Sequence, residues 1–146
     1  YQKEMEEKYK IPVMVCDSVE EAVKGAEIIC TVTPSKEPYL KAEWITPGAH
    51  INAVGAFTPN TREIESSLMA KAKLYADQVE AMKKECGEYL IPKNEGLFGE
   101  EHITGSIGGI LAGQVPGREN DTEITLFDAL GLAVEDVACG RFLCRE

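Results

Sequence analysis

Apolar and polar positions follow two periodicities along this chain, and the switches between them predict its elements. Nearly continuous apolar, β-branched runs occupy residues 27–33 and 50–54, which is typical of strands covered on both faces in a parallel sheet. Shorter runs at residues 73–76, and at 13–15 after Pro12, predict two more strands. The pattern therefore predicts about four strands.

Helical signals separate these strands. Residues 1–10 are charged with helical character, and Ser18 with Glu21 forms a capping box that begins a helix ending near Gly25. Further helical segments are predicted at residues 41–45, 62–70, 79–86, 103–113 and, amphipathic, from about 125 to 145. Strands that alternate with helices through short loops predict a single α/β domain, with a parallel sheet and flanking helices.

The second strong strand ends in small residues. After the apolar run at 50–54 come Gly55 and Ala56, and then the turn Phe-Thr-Pro-Asn-Thr-Arg. Because ligands of parallel sheets bind at the carboxyl ends of strands, small residues there let a ligand approach the backbone. The alternative is a strand that ends in an ordinary turn.

A dinucleotide-binding turn is missing from the pattern. Such a sheet usually carries a Gly-rich turn after its first strand and an acidic residue about 20 positions later. GSIGG at residues 105–109 has the glycines, but no predicted strand precedes it, so packing is favoured over phosphate binding. The chain also opens at Tyr1, within a predicted helix, and we expect a fragment of a longer protein unless the terminus was trimmed or processed.

Charge and composition narrow the class of partner. The formal charge of −10 over 146 residues argues against nucleic acid or an anionic membrane as partner. No apolar run approaches the roughly 18 residues of a membrane helix, and a cytoplasmic protein is expected. The five cysteines are scattered without a C-x-x-C pair, and His50 and His102 have no ligand-like neighbours. Reduced thiols are therefore expected, with no metal site.

Several segments, in order, carry a family resemblance: SVEEAVKGAEIICTVTPSKEPYL, KAEWITPGAHINAVGAFTPNTREI, ECGEYLIP, LAGQVPGREND and EITLFDALGLAVED. With them the chain resembles the ornithine cyclodeaminase/mu-crystallin family, from about Ile11 to its end. The resemblance implies that a substrate and dimerisation domain, and the first strand with its Gly-rich turn, precede Tyr1. Residues 1–146 would then be the carboxyl part of a Rossmann-like NAD(P)-binding domain with an incomplete sheet, whose last helix packs on the missing domain.

The same resemblance implies an activity. Family members bind NAD or NADP and move a hydride between the nicotinamide and the α-carbon of an amino or imino acid; they include ornithine cyclodeaminases, ketimine reductases and some alanine dehydrogenases. The implied partners are a small amino or imino acid and further copies of the protein, as a homo-oligomer. The isolated fragment is expected to be inactive.

The resemblance also implies site residues. Thr31 would lie against the cofactor, although a β-branched strand residue explains it about as well. The ledge, residues 54–57, would line the nicotinamide, and a side chain larger than Gly or Ala at position 55 or 56 would push the ring away. The complete implied set is Thr31, Asn52 (which would orient the turn), Val54, Gly55, Ala56 and Phe57 for the cofactor, with Leu130 for the substrate.

Departures from the family pattern bear on the reaction. Ornithine cyclodeaminases have an Asp where Phe57 stands, and a phenyl ring cannot act as a general acid or base. They also have a Lys at Thr61; many relatives have a Ser at Ala129, and Glu-Leu-Gly-Glu where this chain has residues 106–109. An imine reductase or amino-acid dehydrogenase is therefore preferred. Ornithine cyclodeaminase, or a non-catalytic mu-crystallin-like binding protein, is the alternative.

Other polar residues are open to two interpretations. Arg62 is suited to holding a carboxylate or phosphate, or to pairing with Glu63 or Glu65. Glu135 with Asp136, and His102, could do acid-base work or be ordinary surface residues.

Overall fold

Five short parallel strands form one sheet in the order β1-β2-β5-β3-β4. The computed structural model describes residues 1–144. The strands are β1 (Ile28–Thr31), β2 (His50–Ala53), β3 (Lys73–Ala76), β4 (Ile103–Ser106) and β5 (Thr125–Asp128). The last strand in sequence is the central one, and its Asp128 is in register with Ala53 on one side and Ala76 on the other. The predicted α/β fold with a parallel sheet is confirmed.

Seven α-helices connect and flank these strands within residues 1–144. They are α1 (Gln2–Tyr9), α2 (Val19–Val23), α3 (Ser66–Lys71), α4 (Val79–Glu85), α5 (Gly87–Asn94), α6 (Ile107–Leu111) and α7 (Ala133–Leu143), with 3-10 turns at Ala42–Trp44 and Glu100–His102. Within this described part of the chain, none of the helices has both the length and the hydropathy needed to cross a lipid bilayer.

The two faces of the sheet are unlike. One face carries buried apolar side chains such as Ile51, Leu74 and Leu126, which share a core with residues of the helices on that side. On the opposite face Ile28 and Cys30 are exposed, and Asn52 is half-buried. The expectation of strands covered on both faces is therefore wrong for β1, whose residues alternate between exposed and buried in the described chain.

Several predicted elements are confirmed closely. The strand at 73–76 and the helices at 1–10 and 79–86 lie where expected, give or take a residue. The Ser18 hydroxyl caps α2 by accepting a hydrogen bond from the Glu21 N–H at 3.1 Å. The carboxylate of Glu21 accepts in turn from the Asp17 N–H, one residue before the usual capping-box partner.

Three predictions at the level of elements are wrong. Residues 13–15 form no strand, because a strand needs a neighbour for its ladder and none is paired with them in the described chain; Met14 and Val15 are exposed. Residues 103–113 are not one helix but β4 followed by α6, because residues 103–106 pair with β3. The GSIGG segment thus spans the last two residues of β4 and the first three of the five-residue helix α6.

The third error concerns the predicted terminal helix. Residues 125–128 are β5, because a four-residue segment between two partner strands is stabilised by both ladders, and helix begins only at Ala133. The sheet consequently has five strands instead of four. The predicted end of that helix, residue 145, lies outside the described residues. The helix predicted at residues 62–70 also begins later than expected. Ile64 forms an isolated β-bridge with Leu40, and α3 starts at Ser66.

A substitution at Gly87 would test how closely α5 packs against the loop that follows β2. A Cβ on Gly87 would lie 2.7 Å from the Thr58 carbonyl oxygen and 3.0 Å from that of Pro59. We expect Gly87→Ala to lower the free energy of unfolding by about 1–3 kcal/mol through this overlap, as measured by urea denaturation.

Gly140 in α7 provides the matched control. A Cβ there has nothing within 4 Å. Gly140→Ala should raise the free energy of unfolding by up to about 1 kcal/mol, because alanine is the better helix former. Equal effects of the two substitutions would contradict the packing described for α5.

Candidate cofactor-binding site at the carboxyl rim of the sheet

Four strands end level with one another at the carboxyl rim of the sheet. Thr31, Ala53, Asp128 and Ala76 are in register across β1, β2, β5 and β3. Ligands of open parallel sheets bind outside this rim. The segments that leave these four strands are therefore the place to look for a site.

Apolar side chains are exposed beside the ends of β1 and β2. Val54 is 47% exposed and Phe57 is 61% exposed. Val32, which the sequence analysis did not single out, is 69% exposed. The two strand ends are joined directly, since the Val54 N–H donates to the Thr31 carbonyl at 3.0 Å. We call these three side chains, Val32, Val54 and Phe57, the rim patch.

The small residues of the ledge have a reason other than the one expected. A Cβ on Gly55 would overlap the backbone N and O of Thr33 and lie 2.7 Å from the carboxyl carbon of Glu63. Ala56 is buried, at 2% exposure. A side chain at position 55 would therefore collide with the protein itself, and the displacement of a nicotinamide ring by a larger residue at 55 or 56 stays a prediction.

A buried carboxylate lies beneath the ledge. Glu63 is fully buried, and its carboxylate accepts hydrogen bonds from the Thr33 N–H at 2.5 Å, the Tyr39 hydroxyl at 2.7 Å and the Gly55 N–H at 3.1 Å. Burial alone would raise the pKa of Glu63, but the hydrogen bonds it accepts outweigh burial and hold that pKa below its ordinary value. We call this arrangement the Glu63 clamp.

A second buried carboxyl holds the first in place. Glu88, in the first turn of α5, accepts from the backbone N–H groups of Glu63 at 2.5 Å and Ile64 at 3.2 Å. Its neighbour Gly87 donates its own N–H to the Thr58 carbonyl at 3.1 Å. One turn of helix thus fixes both ends of the segment 58–64. Burial raises the pKa of Glu88 to about 8, against the effect of these hydrogen bonds.

The central strand ends in a third buried carboxyl. Asp128 accepts a hydrogen bond from the Cys86 thiol at 3.2 Å, and its other oxygen has no partner among the described residues. Burial raises the pKa of Asp128 to about 7, and burial with the adjacent Asp128 raises the pKa of the Cys86 thiol. In the described chain none of the ion pairs includes Glu63, Glu88 or Asp128.

These acids are the residues that the sequence analysis missed. Glu88 and Asp128 lie within mostly apolar stretches, Cys-Gly-Glu-Tyr-Leu-Ile and Leu-Phe-Asp-Ala-Leu, whereas Glu63 lies in the polar stretch Thr-Arg-Glu-Ile-Glu. A lone acid in a mostly apolar stretch is the one signal that was available, and it applies to Glu88 and Asp128. Across residues 1–144 no group of three or more His, Cys, Asp or Glu side chains is arranged to hold a metal ion.

The remaining predicted site residues lie in different environments. Thr31 is 3% exposed, and its hydroxyl helps to lower the pKa of Glu63 without completing a full hydrogen bond to it. Asn52 bonds to His50 at 3.2 Å and contacts Cys30 at 3.7 Å on the open face of the sheet. The expectation that the Asn52 side chain orients the turn is therefore wrong. The contact of Thr31 or Asn52 with a cofactor stays a prediction.

Leu130 lies just beyond β5 on the same rim. Its N–H and that of Gly131 both donate to Asp77 at 2.8 Å, and its half-buried side chain packs against the core. Asp77 therefore fixes the segment that follows the central strand, much as Glu63 fixes the one that follows β2. A substrate contact by Leu130 stays a prediction.

The polar residues with two interpretations have structural partners or lie on the surface. Arg62 donates to the Ser66 hydroxyl at 2.8 Å and lies 3.7 Å from Glu95, so it pairs with neither Glu63 nor Glu65. His102 bonds to the Met69 carbonyl at 2.8 Å and stacks on Phe98. Glu135 and Asp136 are exposed in the first turn of α7.

Comparison with known proteins shows which family this chain belongs to. Residues 2–145 match the profile of the ornithine cyclodeaminase/mu-crystallin family. The chain belongs to that family. The ketimine reductase mu-crystallin of Mus musculus is 44% identical over 131 residues, which are 90% of this chain and 39% of that protein. The family resemblance drawn from the quoted segments is confirmed.

Solved structures agree in fold. The Δ1-pyrroline-2-carboxylate reductase of Thermococcus litoralis, in complex with NADH and L-proline, is 38% identical with a TM-score of 0.92, over 96% of this chain and 43% of that one. An archaeal alanine dehydrogenase dimer with bound NAD is 39% identical with a TM-score of 0.87, over 95% and 42%. The chain thus spans about two fifths of the length of its curated relatives.

The buried acids predict a dependence of stability on pH. The pKa of Glu88 is raised from an ordinary 4.5 to about 8, so between these values the folded protein binds more protons than the unfolded chain. The free energy of unfolding should therefore fall as pH rises from about 5 to about 8 and then level off. The pKa of Glu63 is lowered from 4.5, so this residue makes the free energy of unfolding fall as pH drops below that value. A series of denaturation curves across pH measures this slope.

Two variants test whether Glu88 contributes to this pH dependence of the free energy of unfolding. Glu88→Gln, which removes one titrating group from the core, should reduce the fall in stability between pH 5 and 8, and Asp128 should account for the part that remains below about pH 7. Glu85→Gln changes an exposed glutamate three residues earlier and should leave the slope as it is. An unchanged slope in Glu88→Gln would contradict the raised pKa.

Proposed function

We propose that the protein containing this chain is an NAD(P)-dependent oxidoreductase that transfers a hydride at the α-carbon of an amino or imino acid, with imine reduction as the preferred direction. One observation carries the proposal: the rim patch leaves three apolar side chains exposed at the edge where parallel sheets bind ligands. The relatives named as ketimine reductase, pyrroline-2-carboxylate reductase and alanine dehydrogenase support the reaction class.

The residues present fit the nicotinamide end of a dinucleotide. When bound there, the cofactor supplies the hydride chemistry. Val32, Val54 and Phe57 offer an apolar surface for a flat ring and would exclude water from the reacting face. The inward N–H groups of Thr33 and Gly55 are already bound by Glu63, so the ledge does not present them to a ligand.

Proton transfer has to come from a group other than Phe57. Its ring has no titratable atom, although it occupies the position where cyclodeaminases carry an acid. Thr61, which stands where they have a Lys, bonds within its own turn, to the Thr58 hydroxyl at 2.9 Å. Reduction of a preformed imine therefore fits this chain better than ornithine cyclisation.

Assembly and location complete the proposal. The helix α7 has no buried residue, and its Val134, Val137 and Phe142 are exposed in this chain. Together with the dimer described for the archaeal alanine dehydrogenase, this supports a homo-oligomer in which α7 packs on the rest of the protein. The net charge of −10 argues against a nucleic-acid or anionic-membrane partner, and we place the enzyme in the cytoplasm as part of the same proposal.

The direct test uses the full-length protein that carries this chain. NADH or NADPH is supplied with Δ1-pyrroline-2-carboxylate, and oxidation of the cofactor is followed by absorbance. We expect imine-dependent oxidation, and a much slower release of ammonia and proline from ornithine with NAD. Ornithine turnover at a comparable rate would favour the cyclodeaminase, and cofactor binding without turnover of any imine would favour a binding protein.

Phe57 allows the rim patch to be tested apart from the fold. Because its side chain is 61% exposed, Phe57→Ser should change the free energy of unfolding by less than about 0.5 kcal/mol. Loss of about 1 kcal/mol of apolar contact should raise the KM for the dinucleotide about fivefold. Phe57→Leu, which keeps an apolar side chain, is the control and should stay within about twofold of the original. Equal KM values for the Ser and Leu variants would argue against a ring at this position.

A further inference from the structure

The Glu63 carboxylate bridges the two segments that carry the rim patch. One oxygen accepts from Thr33, which follows exposed Val32, and the other accepts from Gly55, which follows exposed Val54. Both N–H groups lie beyond the last backbone hydrogen bond between these two segments, which runs from the Val54 N–H to the Thr31 carbonyl. A single side chain therefore sets the spacing of two peptide segments that the sheet itself leaves free.

A purely structural role does not account well for an ionised group at this position. The carboxylate is fully buried, with no cation paired to it in the described chain, and a buried unpaired charge is costly. Three donors converge on it, Glu88 orients its backbone, and Gly55 leaves it the room it needs. A functional site needs such a network of supporting hydrogen bonds when its backbone must be fixed in one geometry.

We propose that Glu63 is a positioning residue for hydride transfer, which fixes the segments after β1 and β2 so that the rim patch holds the ring at the correct distance from the substrate. This inference rests on the proposed function. Glu63 acts through the backbone of Thr33 and Gly55 and touches neither reactant. A ledge that shifts by about 1 Å is expected to slow the reaction by up to about 100-fold, because hydride transfer needs the reacting atoms close and aligned.

The test compares Glu63→Gln with Glu65→Gln in the full-length protein, with NADH and Δ1-pyrroline-2-carboxylate. A glutamine at 63 keeps the shape, but its NH2 group would oppose one of the two N–H donors. Glu65 is the matched control, since it accepts from the Ala42 N–H and the Ser67 hydroxyl and does not contact the ledge. We expect Glu63→Gln to lower kcat by about 10- to 100-fold, with the KM for NADH within about threefold. Glu65→Gln should match the original.

A deuterium isotope effect separates positioning from loss of folded protein. With NADH deuterated at the transferred position, the isotope effect on kcat should rise in Glu63→Gln, because hydride transfer becomes more rate-limiting. A smaller folded fraction would lower kcat and leave the isotope effect unchanged. Tyr39→Phe removes one hydrogen-bond donor from the Glu63 clamp, and it should lower kcat and raise the isotope effect to a smaller extent. This variant replaces Glu63→Gln in the test if Glu63→Gln does not fold.

Each outcome decides one of the two proposals. If the original protein reduces the imine and neither Glu63→Gln nor Tyr39→Phe changes kcat or the isotope effect, the positioning role is overturned and the function stands. If the original protein turns over no imine with NADH or NADPH, the proposed function fails and the positioning role for hydride transfer fails with it. Amide hydrogen exchange that accelerates at Thr33 and Gly55 in Glu63→Gln would then show that the clamp itself is real.

Discussion

The carboxylate of Glu63 is the contact on which the carboxyl rim depends. Two strands end side by side at Thr31 and Ala53, and the last backbone hydrogen bond between the segments that follow runs from the Val54 N–H to the Thr31 carbonyl. Glu63 supplies the missing acceptor to both, at Thr33 and at Gly55. Without it these two N–H groups would lose their protein acceptor, and only water could replace it. The shape of the rim patch is therefore set from inside the protein.

The support for this contact comes from an element distant in sequence. Glu88 lies 25 positions after Glu63 and binds its backbone N–H from the first turn of α5. Gly87 lets that turn come close to the carbonyl groups of the 58–61 loop, where any side chain would collide. The ledge, the loop and α5 form one connected unit, and a change in α5 is transmitted to the rim through two buried acids.

Buried acids without basic partners give this rim an unusual electrostatic character. Glu88 and Asp128 have raised pKa values because burial disfavours their charged forms, whereas Glu63 is kept ionised by the donors around it. The raised pKa values reduce the charge on Glu88 and Asp128 near neutral pH, which limits the repulsion among the three carboxyl groups.

The sequence by itself determined the α/β class and the family, because periodicity and short ordered motifs are local signals. It did not determine that residues 103–106 and 125–128 are strands, since four-residue segments become strands only when neighbours pair with them. Nor did it reveal why position 55 is glycine, which depends on Thr33 and Glu63 meeting there. Only the tertiary structure decided these points, because each rests on contacts between residues far apart in the chain.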